Sequence, residues 1–385
     1  MLQKNAMRIV LGGYIVGFPV GGMTWHHLNY LLGLVALGHE VTFLEDGANH
    51  PPIDPSNDTT GDPTYGLAFL RRTFAAYGLT IPWHYRYGTI VDGLSIEEMH
   101  AKLRDADLFI AVSGVTPIDW YDLPKRSLVI DTDPVFTQLR MRDNEITHNY
   151  YKRFTSVATF GRLIGTPASP LPTLGLEWIP TNQPIFLPHW PATPMPTDGL
   201  LSTVGKWEHE MGRTVEFDGK RFASSKGVEY ERLIDLPRVA NSPIEMRMAG
   251  LAGEAASRYL SHGWRLGSAF EATRSCESFG DYIRGTRGEF TVAKQLYAGL
   301  PSGWFSDRSA CFLANGRPVI TQASGFDQWL PTGEGLFSFN TKDEAATAIE
   351  AVNRDPQRHG DAARALAERH FDSNAVLSDL LARTK

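Results

Sequence analysis

The strongest constraint on the fold of this 385-residue chain lies in its first 46 residues. Met7–Leu11 is short, apolar and β-branched, the pattern of a buried parallel strand. A glycine-rich loop follows, ending at Gly21-Gly22. From about Met23 to Leu37 apolar residues recur at helical spacing, at Leu28, Leu31, Leu32 and Val35. Gly38 is placed to stop that helix, and His-Glu-Val-Thr-Phe-Leu-Glu-Asp (39–46) reads as a second strand. Strand, helix and strand in this order form a βαβ unit. Its loop lies at the carboxyl end of the first strand, where open α/β sheets place ligands. The apolar opening is short and broken by glycines, so a first strand is expected there rather than a signal peptide. No other apolar stretch approaches the ~20 residues needed to cross a bilayer.

The same grammar continues in Asp105–Gly114 and Arg126–Pro134, apolar strands that end in small or polar residues. Thr166–Gly199 is rich in proline and reads as the approach to a linker. A second α/β series starts at Leu-Leu-Ser-Thr-Val-Gly-Lys-Trp-Glu (200–208). Residues 242–263 read as one amphipathic helix ending at Gly263, 264–270 as strand-like, and 288–301 as a short helix or helix–strand segment. Residues 318–322 form a short strand and the tail is helical. The length suits two domains. A formal net charge of −6 with no basic run argues against broad nucleic-acid binding, while leaving room for a local basic site. Two isolated cysteines, Cys276 and Cys311, fit a reducing cytoplasm better than a disulfide framework.

Two segments carry a family resemblance. MRIVLGGYIVGFPVGGMTWHHLNYLLGLVALGHEV (7–41) resembles the opening of GT-B glycosyltransferases, and ANGRPVITQASGFDQWLPTGEGLFSF (314–339) has the order of their donor-binding half. The likeness covers both ends well and residues 50–200 only loosely. It implies an α/β GT-B fold, two Rossmann-like domains facing each other across a cleft. The expected division is an acceptor-binding domain at 1–198, a nucleotide-sugar domain at 199–370, and a C-terminal helix at 371–385 crossing back to the first domain. The implied activity moves a sugar from a UDP-, GDP- or TDP-linked donor, a co-substrate, to an acceptor hydroxyl, with a small-molecule acceptor expected and no resident cofactor or metal. The rivals are a GT-B sugar-nucleotide epimerase, a DNA-modifying glycosyltransferase and a non-catalytic nucleotide-sugar-binding protein. A dehydrogenase is disfavoured because no G-x-G-x-x-G follows the first strand. The nucleotide, sugar, acceptor and oligomeric state are left open.

Candidate site residues follow from chemistry placed on that frame. Ser306, Asp307, Arg308 and Ser309 stand where a helix over 310–314 should begin, and a helix N-terminus favours an anion. Ser and Asp alone would be explained as caps; Arg308 would not, and it can grip phosphate oxygens in a bidentate manner. Glu289 and Lys294 in Gly-Glu-Phe-Thr-Val-Ala-Lys, and Lys206 in Val-Gly-Lys-Trp-Glu, are further donor-site candidates. Asp327 and Gln328 lie eleven and twelve residues after Gly316, an offset at which relatives contact sugar hydroxyls. Gly22 can let the backbone approach the donor closely. His26 is the candidate general base, oriented by Asp131 or Asp133, with Asp133 also a candidate base in its own right. The resemblance departs at one point. Many retaining members carry two glutamates eight positions apart, and Gly303 and Cys311 stand at those places, which leaves the stereochemical outcome open. The expected outcomes are that Arg308→Ala weakens nucleotide-diphosphate binding with the fold intact, and that His26→Ala abolishes transfer with donor binding retained; calorimetry and a transfer assay check them.

Overall fold

The structure, a computed structural model, describes residues 6–47, 51–54, 58–120, 124–207 and 214–385. Parts of the N-terminal run, of the loosely matched 50–200 region and of the 200–208 segment lie outside these residues. Among the described residues two sheets form. The first contains β1 (Arg8–Gly12), β2 (Glu40–Asp46), β3 (Trp83–Tyr87), β4 (Ile90–Gly93), β5 (Leu108–Val112), β6 (Ser127–Asp131), β7 (Ser156–Thr159) and β8 (Trp178–Pro180). Its order is β4-β3-β2-β1-β5-β6-β7-β8, and only the β3–β4 pair is antiparallel. β5 and β6 are buried along their whole length, as expected of central parallel strands covered on both faces.

A second sheet is built from β9 (Leu201–Lys206), β12 (Ile244–Ala249), β13 (Arg265–Leu266), β14 (Gly288–Thr291), β15 (Val319–Gln322) and β16 (Leu336–Phe339). It is parallel throughout, in the order β13-β12-β9-β14-β15-β16. A separate hairpin, β10 (Thr214–Phe217) with β11 (Lys220–Ala223), is inserted after β9. Strand order reverses at β1/β5 in the first sheet and at β9/β14 in the second. Each reversal opens a crevice at the carboxyl edge, the position where such sheets hold ligands.

The opening βαβ unit is present, with helix α1 spanning Gly21–Ala36. The expectation of one helix over 242–263 is overturned. Ile244, Met246 and Met248 are buried while Glu245 and Arg247 lie on the other face, a period of two, so this stretch is strand β12. Gly250, at φ +86°, ends the strand, and the helix is confined to Gly253–Ser261. The strand-like reading of 264–270 holds only for the two residues of β13; a helix over Ala269–Thr273 follows.

The domains share a continuous apolar core reaching from Ile9 and Leu28 through Trp25, Trp190 and Phe279 to Phe305 and Phe312. The Trp25 indole N–H donates to the Cys276 carbonyl at 3.0 Å. Helix Ser373–Arg383 packs on α1, where a Cβ on Gly33 would stand 2.6 Å from Leu377 Cδ1. The segment entering the second sheet is gripped by Arg317, 1% exposed. Its guanidinium donates to the carbonyls of Thr193 (3.0 Å), Pro194 (3.1 Å) and Arg284 (2.8 Å) and to Thr193 Oγ1 (2.7 Å).

Gly21 and Gly22 begin α1 and face helix Cys276–Arg284 of the second domain. A Cβ on Gly21 would overlap the Ser275 carbonyl oxygen, which is backbone and cannot rotate away. Gly21→Ala is therefore expected to cost about 1–3 kcal/mol, as overpacking does, and to spread the domains. A lower Tm with a larger radius of gyration by small-angle scattering checks this.

Candidate active site

The first-domain side of the cleft begins at the loop leaving β1. Glu45, at the end of β2, is buried and accepts three backbone N–H groups from that loop: Ile15 (2.7 Å), Val16 (2.8 Å) and Gly17 (2.6 Å). Burial pushes its pKa up to about 7 against the pull of those donors. This clasp fixes the loop and with it Tyr14, whose ring lies edge-on to His27 at 4.4 Å. His27 is fully buried and burial holds it neutral; of the two histidines, His26 lies on the cleft.

His26 is 8% exposed. Its Nδ1 lies 3.4 Å from Asp307 Oδ2, across the cleft in the second domain. Its Nε2 lies 3.4 Å from Ser113 Oγ, at the end of β5, and Ser113 Oγ is 2.8 Å from Thr132 Oγ1. The expectation that Asp131 or Asp133 orients His26 is thus corrected. Asp131 is buried and consumed by four donors: Asp133 N, Thr137 Oγ1, Gln138 Nε2 and Thr159 Oγ1. Asp133 instead pairs across the domains with the Tyr297 hydroxyl and with Lys294 Nζ at 3.9 Å. Burial acts to raise the Asp307 pKa, but the hydrogen bond and charge of His26, with Arg308, hold it below the ordinary aspartate value.

On the second-domain side, helix Asp307–Ala314 starts at the crevice with Ser306 in the N-cap position. The capping alternative for the two serines is not seen: the Ser306 side chain makes no capping bond, and Ser309 Oγ is buried without a partner. The preceding turn is set by Gly303, at φ +79°, where a Cβ would meet Leu163 Cγ at 2.8 Å. A glutamate is incompatible with that position. Cys311 is buried and lines the small cavity shared by His26, Asp307 and Arg308. Neither position carries a carboxylate here, and at Gly303 the backbone and Leu163 exclude one.

Arg308 already has an anion. Its Nε donates to buried Glu289 on β14, Nη1 to the Val204 carbonyl at 3.0 Å, and Nη2 to Thr291 Oγ1 at 3.0 Å. The cation at a helix start is explained first by Glu289, not by a ligand. The expectation that Arg308→Ala would leave the fold intact is corrected on that ground. Glu289, a donor-site candidate, is fully buried and serves as the counter-ion. Lys294 lies 4.4 Å from the Phe136 ring centre and faces the same crevice.

Lys226 was missed by sequence reasoning. It precedes helix Gly227–Arg232, and its Nζ donates to Thr291 Oγ1 at 3.3 Å. No carboxylate pairs with it among the described residues. Burial, with the positive charges of Arg308 and Lys294, pushes its pKa well below the usual lysine value, the direction expected of a cation lacking its anion. A Lys-Gly dipeptide opening a short helix was its only signal. Ser113 and Thr132 were also missed; each directly follows a buried strand, β5 and β6, and only Ser113 lies at the β1/β5 reversal.

Three expected residues are not gathered into this cluster. Lys206 is exposed at the end of β9, and Asp327 and Gln328 are exposed on the turn after β15. Gly22 does line the small cavity formed with His26, Asn29, Gln183, Asp307 and Arg308. Its Cβ direction, however, faces the Phe279 ring at 3.2 Å, so the close approach it permits is to a helix.

Two doubly wound parallel sheets facing each other, with their crevices on a common cleft, define the GT-B fold, and this chain has it. Solved structures of that fold match along nearly the whole chain. An α-glucosyltransferase in complex with UDP-glucose and abasic-site DNA aligns at TM-score 0.59 and 11% identity, covering 98% of this chain and 99% of its own. AviGT4, a glycosyltransferase involved in avilamycin A biosynthesis, gives 0.56 and 13%, covering 98% and 96%. Alr3699/HepE of Anabaena, solved with UDP and glucose, gives 0.55 and 12%, covering 98% and 100%. No family model and no curated protein matches the sequence.

Removing the Arg308 guanidinium strands a buried carboxylate, so Arg308→Ala is expected to lose about 3–5 kcal/mol of stability. The pair Arg308→Met with Glu289→Met is expected to recover most of that loss. Urea denaturation of the three proteins checks both statements.

Proposed function

We propose that this protein transfers a sugar from a nucleoside-diphosphate sugar to an acceptor hydroxyl. The observation that carries the reading is Lys226, a cation with no carboxylate partner among the described residues, aimed at Thr291 beside Arg308 and Lys294. These groups sit at the β9/β14 reversal and at the start of helix Asp307–Ala314, a position suited to an anion. In this reading the diphosphate lies against Lys226 and Lys294, with a lateral contribution from Arg308. These cations, rather than a metal, neutralise the leaving group. Ser306, at the N-cap of helix Asp307–Ala314, adds a hydroxyl on the same side of the crevice, whereas Lys206, Asp327, Gln328 and buried Ser309 stay outside this anion site.

His26 faces that site from the other domain and acts as general base on the acceptor, with Asp307 stabilising the imidazolium that forms. Asp133, held by Tyr297 and Lys294, positions Lys294 in this scheme rather than serving as the base. A single displacement follows: the acceptor oxygen bonds to the anomeric carbon while the bond to the diphosphate oxygen breaks. The neighbours crystallised with UDP or UDP-glucose support a nucleotide sugar as donor. The acidic balance of the chain favours a small acceptor over DNA. Two buried free cysteines agree with a cytoplasmic setting, and among the described residues no helix is long and apolar enough to cross a membrane.

Lys226 makes one hydroxyl contact, so Lys226→Ala is expected to keep the fold and weaken nucleotide binding at least tenfold, charged hydrogen bonds being worth ~1.5–3 kcal/mol. Calorimetry with UDP, GDP and TDP, preceded by a thermal-shift panel of their glucose derivatives, tests it. Absence of stabilisation by every nucleotide sugar would overturn the reading.

A further inference from the structure

We propose that Ser113 stands between acceptor and base as a proton relay, so that the catalytic unit is a cross-domain chain of Ser113, His26 and Asp307. The inference rests on the glycosyl-transfer reading above and goes further, naming the group that touches the acceptor.

Three observations carry it. The first is order along the chain of contacts. A carboxylate only accepts, so the imidazole nitrogen facing Asp307 at 3.4 Å, Nδ1, carries the proton of the neutral ring. Nε2 is then bare, and it faces Ser113 Oγ at 3.4 Å, a hydroxyl able to donate to it. The second is access. Ser113 follows β5 at the β1/β5 reversal and is half-buried, whereas the His26 ring is almost fully buried, so the hydroxyl lies at the crevice edge beside the imidazole. Ser113 Oγ also contacts Thr132 Oγ1 at 2.8 Å and the Tyr14 hydroxyl, which hold it beside the imidazole.

The third is backbone conformation. Ser113 has φ +63° and is one of five non-glycine residues with positive φ among those described. A side chain in that region is strained, and glycine would be relaxed there. A hydroxyl-bearing side chain is here accommodated at a conformation that favours glycine, at the carboxyl end of β5 and on the β1/β5 reversal.

The step balances as follows. The acceptor O–H gives its proton to Ser113 Oγ as Ser113 gives its own to His26 Nε2. The acceptor oxygen bonds to the anomeric carbon, and the electron pair of the broken sugar–phosphate bond leaves with the diphosphate. Ser113 ends unchanged, and the imidazolium is paired with Asp307.

The conformation also supplies the test. Ser113→Gly deletes the hydroxyl at a position where glycine is favoured, so the fold is expected to be kept and the Tm to be unchanged or raised. Two measurements on the full-length protein decide the matter. In imidazole ¹⁵N NMR at alkaline pH, where the ring is neutral, His26 is expected to show a protonated Nδ1 and a bare Nε2. A proton on Nε2 would overturn the relay whether or not turnover is seen. In the second, release of UDP, GDP or TDP from the corresponding glucose donor, with water as acceptor, is compared across wild type, Ser113→Gly, His26→Ala and the double variant. Losses of tenfold or more in each single variant, no further loss in the double, and unchanged nucleotide affinity support the chain. Wild-type rates in Ser113→Gly with loss in His26→Ala would overturn the relay and leave the base in place. Wild-type rates in His26→Ala would overturn the base, and the relay with it.

Discussion

The buried ion pair between Arg308 and Glu289 is the interaction on which the rest of the cleft depends. Glu289 sits inside β14 with no water to solvate it, and an unpaired carboxylate there would be strongly destabilising. Lysine could neutralise it. Only the planar fork of arginine reaches Glu289, the Val204 carbonyl and Thr291 Oγ1 together, and so ties β9, β14 and helix Asp307–Ala314 at one point. That tie fixes the first turn of the helix. Because Asp307 immediately precedes Arg308, fixing the arginine delivers the aspartate to His26 in the opposite domain. One pair thereby sets the geometry on both sides of the crevice.

The cleft joins two kinds of surface. The second sheet presents Lys226, Lys294 and the helix start at its strand reversal. The first presents hydroxyls and an imidazole at the corresponding reversal, between β1 and β5. The chain as a whole is acidic, yet this wall carries local positive charge, which is why net charge excludes some partner classes without describing the site. Glu45 completes the arrangement by a means the sequence conceals. It lies in a strand but fixes a loop, using its two oxygens to satisfy three backbone donors that would otherwise face an apolar interior.

Much of the architecture was legible because burial on both faces imposes a distinctive pattern. Met7–Leu11, Leu108–Val112 and Ser127–Asp131 read as strands for that reason. Residues 244–249 failed because Glu and Arg alternate with Ile and Met beside an alanine-rich helix, and the two periods merge into one apparent amphipathic run. At the site, His26, Asp307, Arg308, Glu289 and Lys294 were all visible by residue type and place in the motif order. Their pairings were not. Asp131 and Asp307 are equally plausible partners of a histidine in sequence; only the packing of the domains chooses between them. Lys226 and Ser113 were hidden for the same reason. Each matters through what surrounds it, a missing counter-ion in one case and a strained backbone beside an imidazole in the other.

Arg317 has a consequence for motion. Its guanidinium grips five carbonyls and a hydroxyl, two of the carbonyls and the hydroxyl belonging to Thr193 and Pro194, just ahead of β9. A proline-rich connector between domains is ordinarily a swivel. Here it is a strut fastened to the second sheet, because turning it would strip a buried cation of its acceptors.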